Sequence, residues 1–330
     1  MIDTYRFRIQ EIQKDLENHI RQLDFGSQPQ ELYEPIKYLM GLGGKRIRPL
    51  LTLLAYSLYK DDYQQILTPA AAVETFHNFT LMHDDIMDNA PLRRGKATVH
   101  EKWNANTAIL SGDVMMVKAY DMLLEVPSEK LALCMKHFNR TAAEVCEGQQ
   151  LDMNFEQREM VSEAEYLDMI RLKTAVLLGF ALQYGALLAG APEEDVQRLY
   201  DFGVSIGIGF QLKDDLLDVY ADKAKFGKQV GGDIIANKKT YLLIKAKELA
   251  TGKEAEELSF WEAAKDFDKE QKVEAVTALY DRLGIKELTG TKMEAYFARG
   301  FEQLDQLHPL NKEALQGLRF LAEDLINREN

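Results

Sequence analysis

Apolar residues recur at intervals of three and four along almost the whole chain. Ile9, Ile12, Leu16, Ile20 and Leu23 form one stripe, and Leu50, Leu53, Leu54 and Leu58 form another, the spacing of helices with one face toward a core. Strand-like alternation is absent over any useful length. The helical runs break at 26–29, 41–44, 60–62, 89–95, 126–128, 190–192, 226–232, 251–252 and 288–290, stretches of Gly, Pro, Asn, Asp and Ser that end helices. This pattern predicts an all-α protein, roughly a dozen helices in a large bundle around a central cavity, several of them about 20 residues long. No linker rich in Pro, Gly or Ser separates two halves and no fixed-period repeat occurs, so residues 1–330 are expected to form a single domain. The densely charged stretch 247–272 reads as solvated surface.

Composition fits this picture: 46% of residues are hydrophobic and only eight are proline, which favours long uninterrupted elements over disorder. A formal net charge of −13 argues against nucleic acid as a partner, because that binding draws on a surplus of Lys and Arg. It leaves room for a local phosphate pocket and favours divalent cations. Cys134 and Cys146 match no metal or redox spacing, so a reducing compartment fits. The polar start lacks an apolar signal core, and the run 175–191 contains Gln183 and is too short and glycine-rich for a membrane span. The expected location is the cytoplasm.

Two aspartate-rich stretches carry the chemistry. In Asp84-Asp85-Ile86-Met87-Asp88, within the helical run 67–87, Asp84 and Asp88 share a face at i and i+4, where like charges repel by a few tenths of a kcal/mol. Three acids in five residues describe either a solvated helix end or a face that a cation neutralises. Mg²⁺ is such a cation, since it divides its shell between one or two carboxylates and phosphate oxygens. The same pattern returns 130 positions later as Asp214-Asp215-Leu216-Leu217-Asp218 in the helical run 204–220, where spacing puts Gln211, Asp214, Asp215 and Asp218 on one side. Both stretches lie among apolar residues, which favours faces turned into a cavity, and two such faces could clamp Mg²⁺ ions on a diphosphate. Gly43-Gly44-Lys45-Arg46-Ile47-Arg48-Pro49 meets a helix start, where free backbone N–H groups attract anions and Lys45 and Arg48 could grip one together. Alone, that cluster also fits an ordinary charged surface. Arg93-Arg94-Gly95 follows the first aspartates closely, as a phosphate grip or as a plain salt-bridge network.

Taken together, GGKRIRP, His77 seven positions before Asp84 in HDDIMD, the RRG loop, Lys173-Thr174, FQLKDDLLD, FGKQVGGDI and KKT resemble the trans-polyprenyl diphosphate synthase family, over Gly43 to Thr240. The resemblance implies an all-α isoprenoid-synthase fold, a homodimer, and condensation of isopentenyl diphosphate with an allylic diphosphate. It implies a set of Mg²⁺ ions, three with bound diphosphate, held by Asp84, Asp88 and Asp214, with Asp85, Asp215 and Asp218 in supporting positions. Arg93, Lys173, Lys228 and Lys238 match the residues around the allylic diphosphate, and Lys45, Arg48, His77 and Arg94 match the isopentenyl diphosphate site. Thr174 and Gln211 match positions beside the forming carbocation. Metal ions and cationic side chains would stabilise the departing diphosphate, an apolar pocket would keep water away, and the diphosphate itself would take the final proton.

In this family, residues one turn before the first aspartate help form the floor of the product pocket. A helix rise of about 1.5 Å per residue puts Phe79 about 7 Å and Phe76 about 12 Å below Asp84. Phe79 followed by the small Thr80 resembles short-chain synthases making C15 or C20 products, although an ideal helix places Phe76 nearer the Asp84 face, and both rings also fit plain core packing. Two departures stand out: Lys213 precedes the second aspartates where many relatives carry Gln or Arg, and Arg328 is the only basic residue at the C-terminus.

Overall fold

The computed structural model describes residues 2–221 and 230–327. In chain order the helices are α1 Ile2–Gln22, α2 Gln30–Gly41, α3 Ile47–Ser57, α4 Leu67–Met87, α5 Val99–Lys102, α6 Ala105–Leu123, α7 Ser128–Glu156 and α8 Glu163–Ile170. They continue with α9 Val176–Ala189, α10 Glu193–Tyr220, α11 Gly232–Ile235, α12 Tyr241–Leu249, α13 Lys253–Ala263, α14 Lys269–Arg282, α15 Ile285–Asp305 and α16 Lys312–Asn327. A 3₁₀ turn covers Tyr63–Ile66 and a π-helical segment covers Arg171–Ala175. The all-α expectation holds. The chain divides into two compact units: Met1–Arg140, Phe180–Tyr200 and Leu307–Phe320 in the first, Thr141–Gly179, Asp201–Gln306 and Leu321–Asn330 in the second.

In the first unit α4 is enclosed over its first half, because that half is apolar on nearly every side. Ala70, Ala71, Ala72, Val73 and Phe76 are all buried. Its bounds coincide with the run read from the sequence. The expected break at 89–95 contains an antiparallel hairpin, Leu92–Arg93 with Lys96–Ala97, whose two-residue strands are too short to register as alternation. Arg94 and Gly95 at its tip have φ of +53° and +73°, the pair of left-handed residues that a type I′ turn needs. Further along, Gly185 lets α9 lie against α3. A Cβ there would sit 2.0 Å from the Thr52 carbonyl oxygen, and Thr52 Oγ1 donates to the Ala181 carbonyl at 2.9 Å.

In the second unit, one apolar cluster gathers Phe155, Tyr166, Met169, Ile208, Leu212, Tyr241 and Ile244, and another gathers Val219, Ile234, Leu242, Leu258, Leu279 and Tyr280. Helix α8 starts in a capping box, Ser162 with Glu165, and runs through the π segment into α9. Gly203 and Gly207 of α10 face Gly179 and Ala175, where added Cβ atoms would meet backbone at 2.7 Å. The break expected at 288–290 does not occur, because α15 passes through it. Thr289 is fully buried with its hydroxyl on the Ile285 carbonyl at 2.8 Å, and the chain turns earlier, at Gly284 with φ +66°. Most of the 226–232 break lies outside the described residues. The stretch Glu163–Ala189 is long and apolar enough to cross a membrane by composition alone, yet 78% of its most apolar window is buried in protein.

Candidate active site

The six aspartates divide into two kinds. On α4 the accessible stripe is His77, Thr80, Leu81, Asp84 and Asp88, while Phe76, Phe79 and Asp85 are buried. The Asp85 side chain is 3% exposed against 22% for Asp84. Asp85 accepts from Arg93 Nε at 2.9 Å on both oxygens and from Nη2 at 2.7 Å, a two-pronged grip that fixes the guanidinium. Asp84 lies 3.8 Å from the same Nη2. On α10 Asp214 is exposed and Asp218 half-buried, but Asp215 does not share their side as the spacing suggested. It turns inward to accept from the Tyr166 hydroxyl, from Gln211 Nε2 at 3.3 Å and from the Tyr241 N–H at 3.3 Å. Burial pushes its carboxyl up to about 7 against those hydrogen bonds. Adjacent residues on a helix point about 100° apart, so Asp214 can face outward while its neighbour Asp215 turns inward.

The basic residues expected at the isopentenyl diphosphate site come together within the first unit. Gly43, Gly44 and Arg46 hold φ of +78°, +139° and +47°, which bends the loop sharply into α3. Arg94 donates to the Gly43 carbonyl, and Gly44 leaves the space for it: a Cβ there would lie 2.9 Å from two guanidinium nitrogens. Arg48 Nη1 sits 3.1 Å from His77 Nε2. Burial, together with Arg48, Arg94, Arg93 and Arg46, holds His77 well below the usual imidazole value, so it is neutral and accepts from Arg48. Burial also lowers Arg48 to about 10, with Glu74 opposing the shift. Lys45 is exposed on the same loop. The stability of the protein should therefore fall as pH drops below about 6.5, where unfolded His77 takes a proton that the folded residue refuses. His77→Gln should flatten, without abolishing, the loss of melting temperature between about pH 7.5 and 5.5, since burial also lowers His19 and His137. An unchanged slope would contradict the neutral state.

Beneath Asp84 the rings form a continuous plug. Phe76 packs on Phe79 at 5.6 Å and edge-on against Phe138 at 5.0 Å, and Phe138 meets Tyr120 and Phe180 at 5.1 and 5.8 Å. Thr80 is half-buried with its hydroxyl on the His77 carbonyl at 2.8 Å. His83 stacks edge-on with Phe79 at 4.8 Å and reaches the Ile109 carbonyl of α6 at 3.1 Å.

In the second unit the π segment presents Lys173 and Thr174. Lys173 pairs with Asp152 of α7 at 2.6 Å, and Thr174 Oγ1 meets Gln211 Oε1 at 3.4 Å. Helix α7 reaches this segment because residue 148 is glycine: a Cβ would stand 2.2 Å from the Lys173 backbone nitrogen. Gly148→Ala should displace Lys173 and destabilise the fold by about 1–3 kcal/mol, read as a lower denaturation midpoint together with lost activity. Asp218 anchors the start of α11, accepting from the Asp233 N–H at 2.9 Å and the Gly231 N–H at 2.6 Å. The Lys238 N–H in turn donates to the Asp233 carbonyl at 2.9 Å. Buried Lys272 of α14 supports this turn by donating to Asn237 Oδ1 at 2.7 Å. Lys228 lies outside the described residues. Lys213 extends to the Ile326 carbonyl at 2.5 Å and so holds the end of α16.

Asp152, Tyr166, Glu74 and Arg46 hold these side chains or their loops in place from behind, a role that motif reading did not assign to them. Glu74 carried the same signal as the aspartates, an acid within an apolar helical run, whereas nothing in the sequence ties Asp152 to Lys173, 21 positions away. Among the described residues no group of three potential ligands is close enough to hold a metal by itself. Accessible carboxylates spaced i, i+4 suit a hard divalent ion that takes the rest of its shell from phosphate and water.

With described residues that are mostly helical, aspartate pairs on long apolar helices and cations on adjoining loops, the protein is a prenyltransferase of the isoprenoid-synthase class. Residues 29–280 match the sequence profile of the Polyprenyl synthetase family, and the chain belongs to that family. It is 39% identical over 305 residues to a geranylgeranyl diphosphate synthase of Methanosarcina mazei, covering 92% of this chain and 91% of the relative. A crystal structure of a geranylgeranyl pyrophosphate synthase superposes with a TM-score of 0.89 at 41% identity, over 100% of this chain and 99% of the other. The geranylgeranyl pyrophosphate synthetase of Pyrococcus horikoshii Ot3 gives 0.91 at 33% identity, over 99% of each chain.

Proposed function

We propose that the protein condenses isopentenyl diphosphate with an allylic diphosphate to give an all-trans prenyl diphosphate of C15–C20, with C20 as the main product. The observation that carries this reading is the group Arg48, neutral His77 and Arg94 on the helix and loops next to Asp84 and Asp88. It offers a second diphosphate a cationic seat, which an enzyme that only ionises or cyclises one allylic substrate does not need. Asp84, Asp88, Asp214 and Asp218 are the carboxylates that would hold Mg²⁺, three ions with the diphosphate bound. Asp85 and Asp215 position their neighbours. Bound Mg²⁺ would supply positive charge to the leaving diphosphate. Arg93, Lys173, Lys238 and Lys228 bind and orient the allylic diphosphate, while Lys45, Arg48, His77 and Arg94 hold the second substrate with its double bond toward the allylic carbon.

When the allylic C–O bond breaks, its electron pair leaves with the diphosphate, and the dipoles of Thr174 and Gln211 face the cation. The double bond of isopentenyl diphosphate attacks that carbon, a C–C bond forms, and a proton passes to a diphosphate oxygen. One domain, a homodimeric state and a cytoplasmic location complete the reading. Purified protein with Mg²⁺, isopentenyl diphosphate and a labelled allylic diphosphate should yield elongated prenyl diphosphates, resolved by chromatography after dephosphorylation. A cyclised product without elongation would replace this reading with a terpene cyclase.

A further inference from the structure

Arg46 stands between Lys45 and Arg48 in the glycine-rich loop, yet it faces the opposite way. It is 4% exposed and holds a left-handed backbone, φ +47°, that a residue with a side chain rarely adopts. The conformation persists because the guanidinium is bound on three sides. Nη1 donates to Glu74 Oε1 of α4 at 2.7 Å, Nη2 to the Met40 carbonyl of α2 at 2.5 Å, and Nε to Glu17 Oε1 of α1 at 3.3 Å. Glu74, 2% exposed, also accepts from Asn78 Nδ2 at 3.0 Å, so its carboxylate is fixed in turn.

Glu74 lies one helical turn before His77, and Arg46 lies two residues before Arg48. The buried pair thus ties the loop to α4 at the point that sets Arg48 against His77. Glu74 is also the buried negative charge that acts on both Arg48 and Arg94. Without it, Arg48 and Arg94 would lose the opposing charge that both feel from α4. We propose that Arg46 and Glu74 are a positioning pair, touching no substrate themselves, that pre-organises the loop and its arginines for the diphosphate of the isopentenyl substrate. This rests on the assignment of Lys45, Arg48, His77 and Arg94 to that substrate.

The test is steady-state kinetics on the full-length enzyme with each substrate varied separately. Arg46→Lys and Glu74→Gln should each raise KM for isopentenyl diphosphate tenfold or more. KM for the allylic diphosphate and kcat at saturation should stay within about twofold, because a displaced loop lowers affinity for the substrate it grips. Equal shifts in both KM values, or none, would overturn the proposal. If single variants unfold at the assay temperature, Arg46→Met with Glu74→Leu decides the matter, since a buried ion pair replaced by apolar residues is often as stable as the original. A folded double variant with an ordinary KM for isopentenyl diphosphate would reduce the pair to a structural role. Arg48→Ala is the separate control: if it leaves that KM unchanged, the substrate assignment fails rather than the positioning pair.

Discussion

Asp84→Ala and Asp214→Ala should each lower turnover by about a thousandfold or more, the loss of several kcal/mol of charge stabilisation on the leaving diphosphate, while leaving the melting temperature close to that of the parent. Neither side chain is committed to the core: Asp84 keeps 22% of its surface and Asp214 is exposed. Their sequence neighbours should behave in the opposite way. Asp215→Ala removes the acceptor that Tyr166 and the Tyr241 N–H share in a buried setting, and leaving buried donors unsatisfied costs about 1–3 kcal/mol each. Denaturation and Mg²⁺-dependent turnover measured on all three variants separate the two classes. An Asp84→Ala enzyme of near-normal activity would rule out metal binding there.

Opening the aromatic plug should lengthen the product. Phe79→Ala is expected to shift the main product by at least one five-carbon unit. Phe76→Ala should go further, because Phe76 joins Phe79 to Phe138 and thence to Tyr120 and Phe180. Both rings are core residues, 8% and 1% exposed, so each substitution should also cost about 3–5 kcal/mol of stability. Chromatography of the dephosphorylated products gives the length and a denaturant titration gives the stability. If Phe79→Ala changes only stability, that ring packs the core and the floor lies at Phe76 or deeper.

What the sequence made legible follows from local physics. The span of α4 could be read from residues 67–87 because apolar spacing and a terminal acidic turn are properties of the segment itself. The same reading stopped a helix at 288–290, since Leu-Thr-Gly resembles a stop when nothing reveals that Thr289 is buried against its own helix. It placed Asp215 beside Asp214 and Asp218, because i+3 and i+4 spacing fixes a broad face but not which carboxylate a distant Tyr166 will claim. The Asp152–Lys173 pair and the π segment were invisible for a related reason. Both depend on how closely α7 approaches, and that is decided by the missing side chain at Gly148. Motifs name the residues that meet ligands but do not tell Arg46, which turns inward, from Lys45 and Arg48 beside it, and Glu74, which holds Arg46, carries no marking beyond an acid in an apolar run.

The short hairpin after α4 has a further consequence. Arg93 and Arg94 are chemically identical neighbours, yet one is bound to Asp85 and the other to the Gly43 carbonyl. What sorts them is the position of the turn. Leu92 pairs with Ala97 and Arg93 with Lys96, so Arg93 ends the first strand while Arg94 and Gly95 form the turn. A turn of this kind needs positive φ at both of its central residues. Replacing Gly95 by a β-branched residue should therefore change the turn, and with it the Arg94 contact, while leaving every charged residue of the motif in place.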